Sequence, residues 1–245
     1  MRRFHSSPDA LIPTRYFMIE LLDAVKTYTQ GRRTVNAVRG VTLRVQTGEF
    51  VTIMGPSGSG KSTLMHLMGA LDTPSGGRAV FHGQDLQTMS DRQRSLLRRD
   101  RIGFVFQAFN LLPTLTAAEN VALPLLLAGT NRGAALVRAA ECLERVNLAH
   151  RADHFPDEMS GGEMQRVAVA RALVADPEAV LCDEPTGNLD TATSREILTL
   201  LSKLPEPGKR AVIMVTHDPN GASYGTRLVR IRDGVLESDE QVVRR

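Results

Sequence analysis

Eight residues, Gly55-Pro-Ser-Gly-Ser-Gly-Lys-Ser62, hold the clearest chemistry in this chain. Gly58 and Gly60 allow positive φ, so successive backbone N–H groups can turn inward as an anion-binding concavity. Pro56, Ser57, Ser59 and the adjoining Thr63 complete that cradle, Lys61 is placed to reach outer phosphates, and the Ser62 hydroxyl to ligate Mg²⁺. An apolar run, Phe50-Val-Thr-Ile-Met54, precedes the loop, and Leu64, Leu67, Met68 and Leu71 follow at helical spacing. Strand, glycine-rich turn and helix is the context a phosphate-binding loop requires, and the helix N-terminus adds its partial positive charge. These residues predict a nucleoside triphosphate as ligand.

Two more groups of residues belong to the same chemistry. Ala179-Val-Leu-Cys-Asp183 is an apolar strand ending in a carboxylate, and Glu184 follows it. Beside a phosphate loop, Asp183 would reach the Mg²⁺ shell directly or through water, while Glu184 would orient an attacking water and accept its proton. Met159-Ser-Gly-Gly-Glu163 opens a helix running to about residue 175, and Ser160 with Glu163 matches a capping box. Capping alone accounts for Ser160 and Glu163. Two glycines in a first turn cost helix stability, so Gly161 and Gly162 predict that something approaches the backbone closely; a phosphate at this second helix start is the expected candidate.

The elements that must position these groups follow from hydropathy patterning. Strands are expected over 19–28, 41–45, 78–81, 102–106, 179–183, 210–216 and 227–232, the last four as buried runs separated by helices. That arrangement predicts an α/β fold: a phosphate-loop core with a mostly parallel sheet covered on both faces, and an antiparallel β subdomain near the N-terminus. Leucine- and alanine-rich segments at 117–128 and 134–146 lie in a stretch without strands, so an α-helical subdomain is expected at about 108–165. A basic helix over 90–101 reads as a solvated face. Residues 1–17 are expected to be a disordered extension, 18–239 the ATP-binding domain, and 240–245 a charged tail.

At 245 residues, 42% of them hydrophobic and 23% charged, the chain has the composition of an ordinary globular protein. Its formal net charge of +3 is too small and scattered to point to nucleic acid, and no nucleic-acid partner is expected. No apolar stretch reaches the length of a membrane span. Cys142 and Cys182 have no metal-spaced companions and read as reduced, buried thiols.

Taken together, these motifs resemble the ATP-binding cassette (ABC) family over about residues 18–239. Ser160-Gly-Gly162 resembles its signature, Gln107 its Q-loop glutamine, Asn188-Leu-Asp190 its D-loop, His217 its switch histidine and Tyr28 its adenine-stacking aromatic. Met159 and Glu163 depart from the commonest Leu-Ser-Gly-Gly-Gln form. Glu163, together with Glu184-Pro-Thr-Gly-Asn-Leu-Asp190 and Asp100-Arg-Ile-Gly-Phe-Val-Phe-Gln107, resembles the lipoprotein-release, macrolide-export and cell-division branch. The resemblance implies that Glu184 and His217 are catalytic, that Gln107 joins Ser62 and Asp183 around Mg²⁺, and that Asp190 contacts nucleotide. It also implies a second ATPase subunit packed head to tail and a separate transmembrane permease, with this chain a peripheral subunit at the cytoplasmic face of the cell membrane. Export or extracytoplasmic extraction of a lipoprotein, drug or peptide is the expected outcome. A soluble ABC ATPase acting on DNA or ribosomes is the second reading, and a metabolic phosphate-loop kinase a third with no use for Ser160-Gly-Gly162. Phe109-Asn-Leu-Leu-Pro113 and Leu115 are expected to form a groove for a partner helix.

Overall fold

The computed structural model describes residues 17–31 and 33–242. Of the expected extension only Phe17 lies among them, and of the expected tail only Glu240, Gln241 and Val242. β1 (Phe17–Gln30) and β2 (Arg33–Gln46) form a hairpin, and β3 (Phe50–Met54) leads through the phosphate loop into α1 (Lys61–Met68). β4 (Gly76–Phe81), β5 (Gln84–Asp85), α2 (Asp91–Arg101) and β6 (Ile102–Phe106) follow. Three helices then come without a strand between them: α3 (Ala117–Leu127), α4 (Arg132–Arg145) and α5 (Gly161–Leu173). The chain continues through β7 (Ala179–Asp183), α6 (Thr191–Leu201), β8 (Ala211–Thr216), the short α7 (Pro219–Ala222), β9 (Arg227–Arg232) and β10 (Val235–Gln241).

Two sheets organise these elements. One is antiparallel in the order β2-β1-β4-β5; the other runs β10-β9-β3-β8-β7-β6, with only β10 antiparallel. Alternate residues of the central strands supply two separate cores, as period-2 geometry demands. Ala179, Leu181, Ala211, Ile213 and Val215 face α1 and the antiparallel sheet. Val180, Cys182, Val212 and Met214 face α3, α4, α5 and α6. Burial on both faces is why these strands are apolar throughout. The expected fold class is the observed one.

The strand boundaries differ from expectation where bulges break the alternation. Ala24 pairs with Val41 and Val25 with Arg39, leaving Gly40 as an extra residue at φ 73. Asp23, at φ 47, makes a second interruption. A strand with such breaks reads as shorter fragments, so the pattern found only parts of a continuous 14-residue pair. The pattern also missed β10, although Asp233-Gly234 between β9 and β10 is a strong hairpin signal; both residues have positive φ, at 48 and 79.

Three contacts fix α5 against the core. A Cβ on Gly103 in β6 would lie 2.2 Å from the Ala172 carbonyl oxygen, so the strand and helix touch backbone to backbone. Buried Gln165 donates to the Pro185 carbonyl at 2.6 Å and, more weakly, to Phe106 at 3.4 Å. Arg171 donates to the carbonyls of Phe109 and Asn110 at 2.7 and 2.5 Å. Gly103→Ala should therefore destabilise the protein by about 1–3 kcal/mol through overpacking, since a backbone carbonyl cannot rotate aside. Urea unfolding measures it; an unchanged midpoint would contradict this close approach.

Candidate nucleotide site

The parallel strands deliver the candidate residues to one edge. Met54 pairs with Thr216, and Asp183 with both Val215 and Phe106. The residues that come next, Gly55, His217, Glu184 and Gln107, therefore leave the sheet side by side. His217, Glu184 and Gln107 border a cavity of about 990 Å³ that also takes in Pro56, Ser57, Gly58, Gly60, Lys61, Ser62, Thr63 and Asp183. Val35, Asn36, Ala37 and Arg39 of β2, with Asp233 and Gly234, form the remaining wall. Sequence reasoning missed this wall. The Asp-Gly hairpin signal could have found its second part, whereas nothing in residues 35–39 marks them.

The phosphate loop is gripped by that wall. Gly60 stands at φ 99, and a Cβ there would lie 2.2 Å from the Ala37 carbonyl oxygen. Gly234 N–H donates to the Ser59 carbonyl at 3.0 Å. Gly55 is equally constrained, since its Cβ would lie 2.2 Å from the Ile231 carbonyl. Lys61 is folded back onto the loop, its Nζ donating to the carbonyls of Gly55 and Pro56 at 2.9 and 3.0 Å.

At the adjoining strand end the Ser62 hydroxyl donates to Asp183 Oδ1 at 3.1 Å. Burial pushes the Asp183 carboxyl above its ordinary value; the Glu184 charge adds to this, and Ser62, His66 and Lys61 oppose it. Glu184 has left-handed backbone at φ 46, with its N–H donating to the Val215 carbonyl at 3.0 Å. Such a conformation in a non-glycine residue costs about 1–3 kcal/mol. Its carboxylate lies 3.9 Å from Lys61 Nζ. His217 Nδ1 is 2.9 and 3.0 Å from the two Glu184 oxygens. A carboxylate only accepts, so Nδ1 carries the proton and donates.

The remaining expected residues divide. Gln107 lines the cavity, with its side-chain Nε2 donating to Asn188 Oδ1 at 3.1 Å and its backbone carbonyl accepting from Asn188 Nδ2 at 3.0 Å. Tyr28 is not in the cavity wall; its hydroxyl donates to Asp72 at 2.9 Å and Lys26 Nζ stands 5.0 Å from its ring centre. Asp190 caps α6, accepting from the N–H groups of Ala192 and Thr193 at 2.9 and 3.0 Å.

Ser160, Gly161, Gly162 and Glu163 also lie outside the cavity. The expected capping box is present: Ser160 Oγ accepts from Glu163 N at 3.3 Å, and Glu163 Oε2 from Ser160 N at 2.8 Å. The close approach at Gly162 comes from α6, because a Cβ there would lie 2.4 Å from Thr193 Cγ2. A phosphate is thus not needed to explain Gly162. Arg151, absent from the sequence expectations, donates to Glu163 Oε1 at 2.8 Å.

Phosphate loop, paired carboxylates and capped second helix define an ATPase of the phosphate-loop class. Residues 38–187 match the family described as ABC transporter. An uncharacterized ABC transporter ATP-binding protein of Thermotoga maritima is 51% identical over 91% of this chain and 95% of its own length. The macrolide export ATP-binding/permease protein MacB of Syntrophobacter fumaroxidans is 48% identical over 92% of this chain, which spans only 32% of that protein. A solved structure of MJ0796, an ABC transporter cassette, has a TM-score of 0.85 at 43% identity, covering 93% of this chain and 100% of that one; the source of MJ0796 is Methanocaldococcus jannaschii. That structure is a dimer in a post-hydrolysis state bound to ADP and phosphate. The chain belongs to the ABC transporter family and is an ATP-binding, ATP-hydrolysing cassette of the macrolide-export-like branch.

The raised Asp183 value carries a stability consequence. A carboxyl raised on folding favours the folded state at pH below its unfolded value, and that contribution is lost as pH rises through the folded value. Asp183→Asn should therefore stabilise the nucleotide-free protein by about 0.5–1 kcal/mol at pH 7. The gain should fade as pH falls into the ordinary carboxylate range. Thermal melts at several pH values measure it, and a destabilised variant at pH 7 would reverse the assignment.

Proposed function

We propose that two copies of this cassette close head to tail around ATP, and that reopening on hydrolysis drives a separate membrane-spanning permease. The observation supporting the closed pair is that Ser160–Glu163 lie outside the cavity holding Lys61, Ser62, Asp183 and Glu184. One chain thus offers its two anion-seeking helix starts to different places, and a second copy brings them to one nucleotide. The dimeric MJ0796 cassette supports the same arrangement. The ATP-binding domain of this reading spans about 18–239, with a helical arm at about 108–165.

In this reading the loop amides and Lys61 bind the outer phosphates, Lys61 exchanging two loop carbonyls for them. Tyr28 leaves Asp72 to stack on adenine, and Asp190 sits against the nucleotide of the neighbouring subunit. The residues at the strand end fit a hard divalent cation. Ser62 Oγ and Asp183 Oδ1 are oxygen donors 3.1 Å apart, and a cation there would relieve the cost of the buried Asp183 charge. Among the described residues no cluster of His, Cys, Asp and Glu holds a metal alone, so phosphates and water would complete the shell. Ser62 and Asp183 would hold Mg²⁺, with Gln107 beside them, and its charge would offset that of the β- and γ-phosphates.

Glu184 accepts a proton from water as the water oxygen bonds to the γ-phosphorus. The bond from that phosphorus to the bridging oxygen breaks, leaving its electron pair on ADP. His217 orients Glu184 through Nδ1, and its Nε2, without a hydrogen bond among the described residues, is open to the γ-phosphate. The strained backbone of Glu184 suits a carboxylate that must point at one place.

An apolar depression of about 420 Å³ between β6, α3 and α5 supports permease docking. Leu71, Phe104, Phe106, Leu123, Pro124 and Leu127 line it, and Leu127 is 70% exposed. Of the expected loop residues only Asn110 contributes; Leu111 packs on the helical core and Leu112 faces outward. No helix among the described residues is long and apolar enough to cross a membrane; in this reading the permease is a separate chain and the cassette sits against it at the cytoplasmic face. Kinship with MacB supports export or extracytoplasmic extraction of a lipoprotein, drug or peptide. Nothing here favours the DNA or ribosome reading.

Glu184→Gln should retain ATP binding and lose roughly 10²–10⁴-fold in turnover; hydrolysis at the normal rate would remove Glu184 from the mechanism. In pull-downs from solubilised membranes with ATP, that variant should bring down a polytopic protein. Adding Leu127→Glu should abolish the recovery while nucleotide binding persists, and undiminished recovery would place docking elsewhere.

A further inference from the structure

The start of α5 carries a charge problem. Glu163 is ionised and sits in the first helical turn, where it consumes the favourable field of the helix N-terminus. A triphosphate arriving at Ser160-Gly-Gly162 would meet a like charge. Hydrogen bonding to the Ser160 amide is the leading reason that the Glu163 carboxyl lies below its ordinary value, so protonation does not relieve the conflict. Both oxygens are engaged, Oε2 by Ser160 N and Oε1 by Arg151 Nε, each at 2.8 Å.

Arg151 is held for this contact. It ends a single helical turn, 149–151; its N–H donates to the Leu148 carbonyl at 2.9 Å and its own carbonyl accepts from His154 at 3.0 Å. Glu163 is the one carboxylate in ion-pair range of Arg151 among the described residues. The nearest cation on α5 itself, Arg166, is paired with Glu196 on α6. We propose that Arg151 is a positioning residue for the ATP-closed pair: it neutralises Glu163 so that the start of α5 can receive the γ-phosphate of a partner's ATP. This rests on the head-to-tail reading above.

The test is a cycle of substitutions in the Glu184→Gln protein, following ATP-driven dimer formation by sedimentation. Arg151→Ala should raise the ATP concentration for half-dimerisation about tenfold, between the small effect of an exposed ion pair and the large effect of a buried one. Adding Glu163→Gln should bring it back to within about twofold of the parent, because the amide oxygen can still accept from Ser160 while no charge remains to neutralise. Arg151→Lys should stay near the parent. Melting temperatures of all variants provide the control for folding. An equal loss from Arg151→Ala with Glu or Gln at position 163, or a loss that follows melting temperature across the set, overturns the inference alone. A Glu184→Gln parent that does not dimerise with ATP overturns the head-to-tail reading and the inference with it.

Discussion

Everything at the site depends on the register of four parallel strands. β3, β8, β7 and β6 end within one residue of each other because Met54 pairs with Thr216, and Asp183 with Val215 and Phe106. The phosphate loop, His217, Glu184 and Gln107 leave the sheet at that line. A slip of one residue in β7 would turn Asp183 to the opposite face, away from Ser62. Such slips are prevented by the two cores, which take alternate residues of the same strands. The packing that makes the sheet stable therefore also sets which carboxylate meets the phosphate loop.

Helix α5 extends that precision beyond the sheet. Its first turn holds the capped glycine pair, its middle is tied by Gln165 to the end of β7, and its last turn reaches through Arg171 to the segment after β6. Phe109 and Asn110, which receive Arg171, both have left-handed backbone, at φ 59 and 52. A displacement of α5 would thus be felt at Gln107, at Glu184 and along the apolar depression beside α3. Coupling between a nucleotide site and a docking surface needs a physical connection of this kind.

Local stability is given up where chemistry is concentrated. Burial raises the Asp183 carboxyl above its ordinary value, and Glu184 is held in a strained conformation. Ser59 Oγ and Gln165 Oε1 are buried without a partner. At the phosphate loop and the end of β7, Ser59, Asp183 and Glu184 each depart from the rules of ordinary packing, as a site prepared for phosphate and metal would require.

The phosphate loop, Asp183, Glu184 and the capping box were legible in the sequence because each depends on neighbours along the chain: glycine spacing, a strand end, a first helical turn. The α/β class was legible for the same reason, through apolar runs that only two-sided burial explains. Other features depend on residues far apart in sequence, and only the folded chain decides them. The full β1–β2 hairpin is interrupted by bulges that hide its period, and the β2 wall at residues 35–39 becomes part of the site only because Gly60 lets Ala37 approach. The room a side chain would need at Gly162 is taken by Thr193, thirty-one positions along the chain. Arg151 precedes its partner Glu163 by twelve positions and carries no motif of its own. Motifs record local geometry, whereas charge balance and close approach are settled by whichever surfaces the tertiary packing brings together.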